Sequence, residues 1–192
     1  CGCYADANID GQFSDRTSEH ANFTAIRFGL CDAPTTAAII DRLLGPDAID
    51  ATEAQPYYMV VVLEALRRAG RTDLAIDLIR RRWGERMVQR GATSCYEEWY
   101  STGSWRSGKW AGFRRTFSHA WSACAAEFLL RQLAGIEVIE PGCGAVRVAP
   151  AAVGFDYEAV YPTPLGAIRV KHAKGKYDIS APPEIRIEQA LP

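Results

Sequence analysis

The sequence predicts a mainly α-helical region followed by a C-terminal β domain, with the boundary near residue 136. Two observations support this fold class. Apolar residues recur at helical spacing, between cap and stop signals, from about residue 18 to residue 135. Beyond Gly135, short β-prone runs alternate with Gly and Pro turns. The 192 residues are enough for two such domains, at 1–135 and 136–192.

The helical segments are separated by short connections, which favours stacked antiparallel helical hairpins. Ser18 is a plausible N-cap, Pro56 suits a first helical turn, and Gly70 and Gly135 are stop signals. The predicted segments are 18–30, 35–45, 56–68, 72–83, 87–91 and 118–133. In the last of these, Trp121 lies on the apolar stripe and is expected in the core.

The β-prone runs are short and several alternate between apolar and polar residues, as in Ile168-Arg169-Val170-Lys171. This pattern is typical of a half-buried strand. The predicted runs are 136–139, 145–148, 157–161, 167–172, 177–179 and 185–187. Their turns predict a small antiparallel sandwich.

Charge and cysteine usage narrow the function classes. Lys and Arg number 22 against 23 Asp and Glu, so no global field favours nucleic acid or an anionic membrane. The run Arg80-Arg81-Arg82 is interpreted as a solvated helix face. The six cysteines form no zinc-like or C-x-x-C pattern, which favours free thiols and a cytoplasmic location. At Cys1 we expect a start part-way through a longer protein rather than a lipidated terminus.

Two adjacent carboxylates lie between two aromatic residues in Tyr96-Glu97-Glu98-Trp99. Aromatic rings beside a carboxylate are typical of a sugar site, because the ring face accepts the apolar face of a pyranose and the carboxylate activates water. His119 follows after a polar loop. The pattern therefore indicates a carbohydrate-processing enzyme.

Four stretches, in order, resemble the C-terminal part of a bacterial α-L-rhamnosidase of glycoside hydrolase family 78. The stretch 16–30 is similar to the family's S-x-H-x-N pattern, and 62–80 to its L-E-A-L…A-L-x-L-I-R hairpin. The stretch 91–99 is similar to G-A-T-T-x-W-E-x-W, with Ser94 for Thr and Tyr96 for Trp. The stretch 118–150 is similar to the junction with the β domain.

The resemblance implies the second half of an (α/α)6 six-hairpin barrel followed by an antiparallel β-sandwich. It implies an inverting mechanism with Glu97 as general base and His119, Trp99 and Tyr96 as substrate-binding residues. An inverting carboxylate pair requires no metal and no cofactor. The expected partner is a rhamnoside substrate, with no nucleic acid and no membrane.

The family's general acid lies in an upstream motif that this sequence does not match. Asp15-Arg16-Thr17-Ser18-Glu19 is the nearest stretch, but it lacks the Arg, Trp and Gly-Asp that follow, so Glu19 is not assigned as the acid. The chain alone is therefore expected to be inactive or nearly so. The missing barrel half, or a second copy of the chain, is a possible partner.

Other interpretations remain open. Tyr96 and Trp99 are also compatible with core positions, and His20 with a structural role at a helix start. Trp105 and Trp110 are further candidates for sugar stacking. The alternatives to a rhamnosidase part are a non-catalytic glycan-binding or structural module, and a six-hairpin exo-glycosidase or uronyl hydrolase. Arg114-Arg115 is the only nearby basic pair for a uronyl hydrolase.

Overall fold

A computed structural model describes residues 2–99 and 116–191 of the chain. The chain divides into two compact units, Cys1–Ala125 and Ala126–Pro192. The first unit is mainly helical and the second is mainly β, as predicted. Within the described ranges, no helix is long and apolar enough to span a membrane.

A two-stranded hairpin near the start of the first unit was not predicted. Strand β1 (Asn8–Ile9) pairs antiparallel with β2 (Gln12–Phe13). Asp10 and Gly11 connect the strands, both with positive φ (50° and 82°), as the tightest hairpin turns require. The strands are only two residues long, so they carry no alternation that sequence reasoning detects.

The first two helices begin at side-chain caps. Helix α1 (Glu19–Arg27) follows Ser18, whose hydroxyl accepts a hydrogen bond from the Ala21 amide. This confirms the predicted N-cap. Helix α2 (Ala33–Leu44) begins two residues before the predicted start, because Asp32 caps it by accepting from the Thr35 amide.

The third and fourth helices form the predicted hairpin. A 3₁₀ turn at Pro56–Tyr58 leads into α3 (Met59–Arg68), and α4 (Thr72–Ile79) continues as a π-helical turn at Arg80–Glu85. Helix α3 packs against both α1 and α4. Its fully buried face is apolar and consists of Met59, Val62, Leu63, Ala65 and Leu66.

The final helical segment of the first unit departs from a regular α-helix. It begins as a 3₁₀ turn at Ala120–Ala123 and continues into α5 (Cys124–Glu127). The expectation that Trp121 lies in the core is wrong, since 66% of its surface is exposed. A 3₁₀ turn advances each residue by about 120° rather than 100°, so α-helical spacing misassigns the side that Trp121 occupies.

The second unit contains two three-stranded sheets, and all six predicted strands are present. One has the order β3-β4-β8 and the other β5-β6-β7. The strands are β3 (Ile136–Val138), β4 (Ala145–Val148), β5 (Tyr157–Thr163), β6 (Gly166–Ala173), β7 (Lys176–Ser180) and β8 (Arg186–Gln189). A π-helical turn at Phe128–Leu133 precedes them and contacts β3 and β5.

Both sheets contribute to one buried core, with Val146 and Val148 from the first and Ile168 and Val170 from the second. The expected antiparallel pairing is confirmed for β3-β4 and for β5-β6-β7. It is wrong for β4 and β8, which pair in parallel from Ala145↔Arg186 to Val148↔Gln189. Parallel pairing is possible here because the long β5–β7 excursion separates the two strands in sequence.

Candidate active site

The segment that carries Glu97 lies along the residues that precede His119. The Glu97 amide donates to the Thr116 carbonyl at 3.0 Å, and the Thr116 amide donates to the Glu97 carboxylate at 3.2 Å. The His119 amide donates to the Cys95 carbonyl at 2.9 Å. These contacts bring Glu97 and His119 onto two adjacent stretches of backbone, although they are 22 positions apart in sequence.

The side chains of this pair of stretches are partly accessible. Glu97, His119 and Tyr96 are each half-buried. The Tyr96 ring packs edge-on against Phe117, with ring centroids 4.7 Å apart. The Ser94 hydroxyl donates to the Phe117 carbonyl. The two adjacent stretches carry a carboxylate, an imidazole and an aromatic ring, which is chemistry suited to a hydroxylated ligand.

Trp99 lies beneath this surface rather than on it. Its side chain is 1% exposed, and its indole N–H donates to the Ala54 carbonyl at 2.7 Å. Its backbone N–H donates to the Gln55 side chain at 3.2 Å. This burial differs from the predicted sugar-contacting role. In the structure, Trp99 anchors the Glu97 segment to the chain before α3.

Trp83 connects the two stretches from behind. Its ring meets Trp99 edge-on, with centroids 4.9 Å apart, and its indole N–H donates to the Ser122 carbonyl at 2.8 Å. Trp99 follows Glu97 by two positions and Ser122 follows His119 by three. The buried Trp83 side chain therefore contacts both stretches. The sequence alone indicated only that Trp83 lies on a buried helix face.

Arg82 is at the centre of a buried ion-pair network. The interpretation of Arg80-Arg81-Arg82 as a solvated face is wrong for Arg82, which is 5% exposed. Its guanidinium contacts the carboxylates of Glu19 and Glu53 at 2.5 and 2.8 Å. Burial follows from position, since Arg82 lies in the π-helical turn and faces α1 rather than solvent. Glu19 is thus paired and buried.

The network also supports the anchor of Trp99. Glu19 accepts from the Ala54 amide at 2.8 Å, and the Ala54 carbonyl in turn accepts from Trp99. Arg86 pairs with Glu53 at 2.9 Å and lies over the Trp99 ring at 5.7 Å from its centroid. The charges of two arginines and two glutamates balance within the network, as buried charges require.

His20 has a structural environment. Its ring packs on Tyr58, with centroids 4.4 Å apart, and the Tyr58 hydroxyl shares a hydrogen bond with Thr24. Burial lowers the pKa of His20, against the weaker opposing influence of Glu19 and Asp6. Burial therefore favours the neutral form of the imidazole.

Trp105, Trp110 and the pair Arg114-Arg115 lie outside the described residues, as does Cys1. Across the parts of the chain that are described, no group of three His, Cys, Asp or Glu residues is placed to hold a metal ion.

Solved structures of α-L-rhamnosidases are similar to this chain over nearly its whole length. A GH78 family rhamnosidase of Bacillus sp. GL1 is 30% identical, with a TM-score of 0.80, and the match covers 100% of this chain and 21% of that one. The resemblance to family 78 rhamnosidases is therefore confirmed. The chain spans about a fifth of that enzyme's length and fits a C-terminal part of it.

Two further structures share the fold. Streptomyces avermitilis α-L-rhamnosidase, solved with L-rhamnose, is 19% identical with a TM-score of 0.66, covering 97% of this chain and 19% of that one. Native α-L-rhamnosidase of Aspergillus terreus is 18% identical with a TM-score of 0.68, covering 98% and 23%. The sequence matches no protein-family model and no curated protein.

Proposed function

We propose that this chain is the base-bearing part of an inverting α-L-rhamnosidase-like glycoside hydrolase that removes terminal α-L-rhamnose from glycosides. One observation carries the proposal. The Glu97 segment, which resembles the family's base motif, is held beside the His119 segment by two backbone–backbone hydrogen bonds and one from the Thr116 amide to the Glu97 carboxylate. All of this chain is similar to part of a family 78 rhamnosidase.

The proposed chemistry assigns the general-base step to Glu97. Its carboxylate accepts a proton from water as the water oxygen bonds to C1 of rhamnose on the face opposite the leaving group. The C1–O bond breaks, and the leaving oxygen takes a proton from a carboxylic acid in another part of the enzyme. The Thr116 amide, at 3.2 Å, fixes the position of the carboxylate.

The other predicted residues take roles that fit their placement. His119 and Tyr96, both half-buried, are proposed to contact the sugar directly. Trp99, which is buried, is proposed to support the Glu97 segment from below. The fold piece is proposed to be the second half of an (α/α)6 barrel with its C-terminal β-sandwich. No disulfide joins cysteines within the described residues, and the location proposed for the protein is the cytoplasm.

The test combines binding and turnover on the 192-residue chain. Titration calorimetry with L-rhamnose is expected to show saturable binding that Glu97→Gln weakens. Turnover of p-nitrophenyl α-L-rhamnopyranoside is expected to be absent or very slow, because losing one of the two carboxylates costs about 10²–10⁴-fold. Glu85→Gln is the matched control, since Glu85 is an exposed glutamate of the same unit.

The outcomes separate the candidate functions. Equal rhamnose binding by the parent chain and Glu97→Gln, without turnover, would favour a glycan-binding module in which Glu97 has no role. Fast turnover that disappears in Glu97→Gln would place a second carboxylate within this chain or across an oligomer. Absence of any rhamnose binding would contradict the proposal.

A further inference from the structure

Two large aromatic rings lie exposed together beside His119. Tyr57 is 54% exposed and Trp121 is 66% exposed. Their ring centroids are 5.0 Å apart with an interplanar angle of 39°, and Trp121 is edge-on to the His119 ring at 5.6 Å. We call Tyr57 and Trp121 the aromatic pair. Most large aromatic side chains bury their area in a core, so this exposure beside a candidate site needs an explanation.

The aromatic pair is held in place from behind. Tyr57 belongs to the 3₁₀ turn Pro56–Tyr58, and Trp121 to the 3₁₀ turn Ala120–Ala123, and the two turns are in contact. The Cys124 thiol approaches the Pro56 carbonyl at 3.6 Å, and Trp83 donates to the Ser122 carbonyl at 2.8 Å. Tyr58, the neighbour of Tyr57, packs inward on His20, which leaves Tyr57 directed outward.

Exposure increases from Glu97 toward the aromatic pair. Glu97, Tyr96 and His119 are half-buried, whereas Tyr57 and Trp121 are exposed. A hydrolase that removes a terminal sugar holds that sugar at the inner end of its site and the leaving group nearer to solvent. The aromatic pair is the most exposed part of this arrangement, and its faces suit a flat apolar ring rather than a charged group.

We propose that Tyr57 and Trp121 bind the ring of the leaving group, an aryl or sugar ring attached to the terminal rhamnose. This inference rests on the proposed function and extends it to a second binding position. The ring of the leaving group packs on the two aromatic faces, while rhamnose occupies the position defined by Glu97 and His119. The aromatic pair thus selects glycosides with a ring-shaped leaving group over those with a small one.

The test compares two ligands that resist hydrolysis, phenyl and methyl 1-thio-α-L-rhamnopyranoside, by titration calorimetry on the full chain. The phenyl compound is expected to bind between about two- and tenfold more tightly, the range of one aromatic contact. Trp121→Ala and Tyr57→Ala should remove this advantage without changing the affinity for the methyl compound. Trp121→Phe should keep part of it.

Phe13→Ala is the matched control, because Phe13 is 74% exposed but lies in the N-terminal hairpin. It should keep the full advantage. Cyclohexyl 1-thio-α-L-rhamnopyranoside then identifies the kind of ring that the leaving group carries. Binding as tight as that of the phenyl compound indicates a saturated, sugar-like ring, and weaker binding indicates an aryl group. If Trp121→Ala and Tyr57→Ala still bind the phenyl compound more tightly than the methyl compound, the inference about the aromatic pair is overturned but the proposed function is not. Failure of the parent chain to bind either ligand or L-rhamnose overturns the proposed function as well.

Discussion

Trp83 meets Trp99 edge-on, with ring centroids 4.9 Å apart and an interplanar angle of 88°. The same Trp83 side chain donates its N–H to the Ser122 carbonyl. The geometry of the candidate site thus depends on one buried indole that contacts the segments of both Glu97 and His119. This explains how two half-exposed stretches keep a defined separation.

Trp83→Phe should test that support. The phenyl ring keeps part of the contact with Trp99 but leaves the Ser122 carbonyl without its indole donor. An unmade hydrogen bond of this kind costs about 1–3 kcal/mol. Urea unfolding should show a loss in that range for Trp83→Phe. Trp121→Phe, at an exposed position, should change the free energy of unfolding by less than about 0.5 kcal/mol, and equal losses would contradict the account.

Arg82→Met should destabilise the helical unit strongly. Removing the guanidinium leaves the buried Glu19 carboxylate without its countercharge, while Glu53 keeps its pair with Arg86. Breaking a buried pair costs about 3–5 kcal/mol. Thermal and urea unfolding measure the loss. Arg81→Met is the matched control, because Arg81 is the exposed neighbour. Adding Glu19→Gln to Arg82→Met should recover part of the loss, and no recovery would argue against the ion pair as the cause.

Gly135→Ala should destabilise the β unit. Gly135 has φ of +67°, and a Cβ there would lie 1.9 Å from the Ala149 carbonyl oxygen. The backbone must shift to accommodate this Cβ. The loss in free energy of unfolding should therefore exceed the roughly 1–2 kcal/mol that a left-handed conformation alone costs a non-glycine residue. Gly175→Ala is the control, with φ of +74° and no atom within 4 Å of its Cβ. Equal unfolding midpoints for the two variants would refute the clash.

Acidification should destabilise the helical unit through His20. Burial lowers the His20 pKa in the folded protein below its ordinary value of 6.5. The unfolded chain therefore binds more protons below about pH 6.5, and stability falls as the pH decreases through that range. His20→Phe retains a ring against Tyr58 but cannot titrate, so its urea midpoint should fall less between pH 7.5 and pH 5. An identical decrease would exclude His20 as the origin.

Much of the secondary structure follows from local signals. The six C-terminal strands, the Ser18 cap and the α3–α4 hairpin are found where caps, turns and periodicity predict them. These features depend on neighbours in sequence. The parallel pairing of β4 with β8 does not, because it joins strands that are about 40 residues apart, and no local pattern encodes the direction of such a pairing.

The sequence predicts the candidate site only in part. Glu97 and His119 are recognised through motif resemblance, and the structure places their segments side by side. Arg82 and Trp121 are misassigned for physical reasons. Arg82 is buried because the carboxylates of Glu19 and Glu53 both contact it, which a run of three arginines in the sequence does not reveal. Trp121 is exposed because it lies in a 3₁₀ turn, where α-helical spacing no longer predicts the buried side.

The most direct test of the central claim is fluoride release from α-L-rhamnosyl fluoride by this chain. Fluoride leaves without the help of a general acid, so the assay isolates the base step assigned to Glu97. The account predicts release above the buffer rate, β-L-rhamnose as the first product seen by NMR, loss of release in Glu97→Gln and retention in Glu85→Gln. Release equal to the buffer rate, or unchanged in Glu97→Gln, would contradict Glu97 as the base.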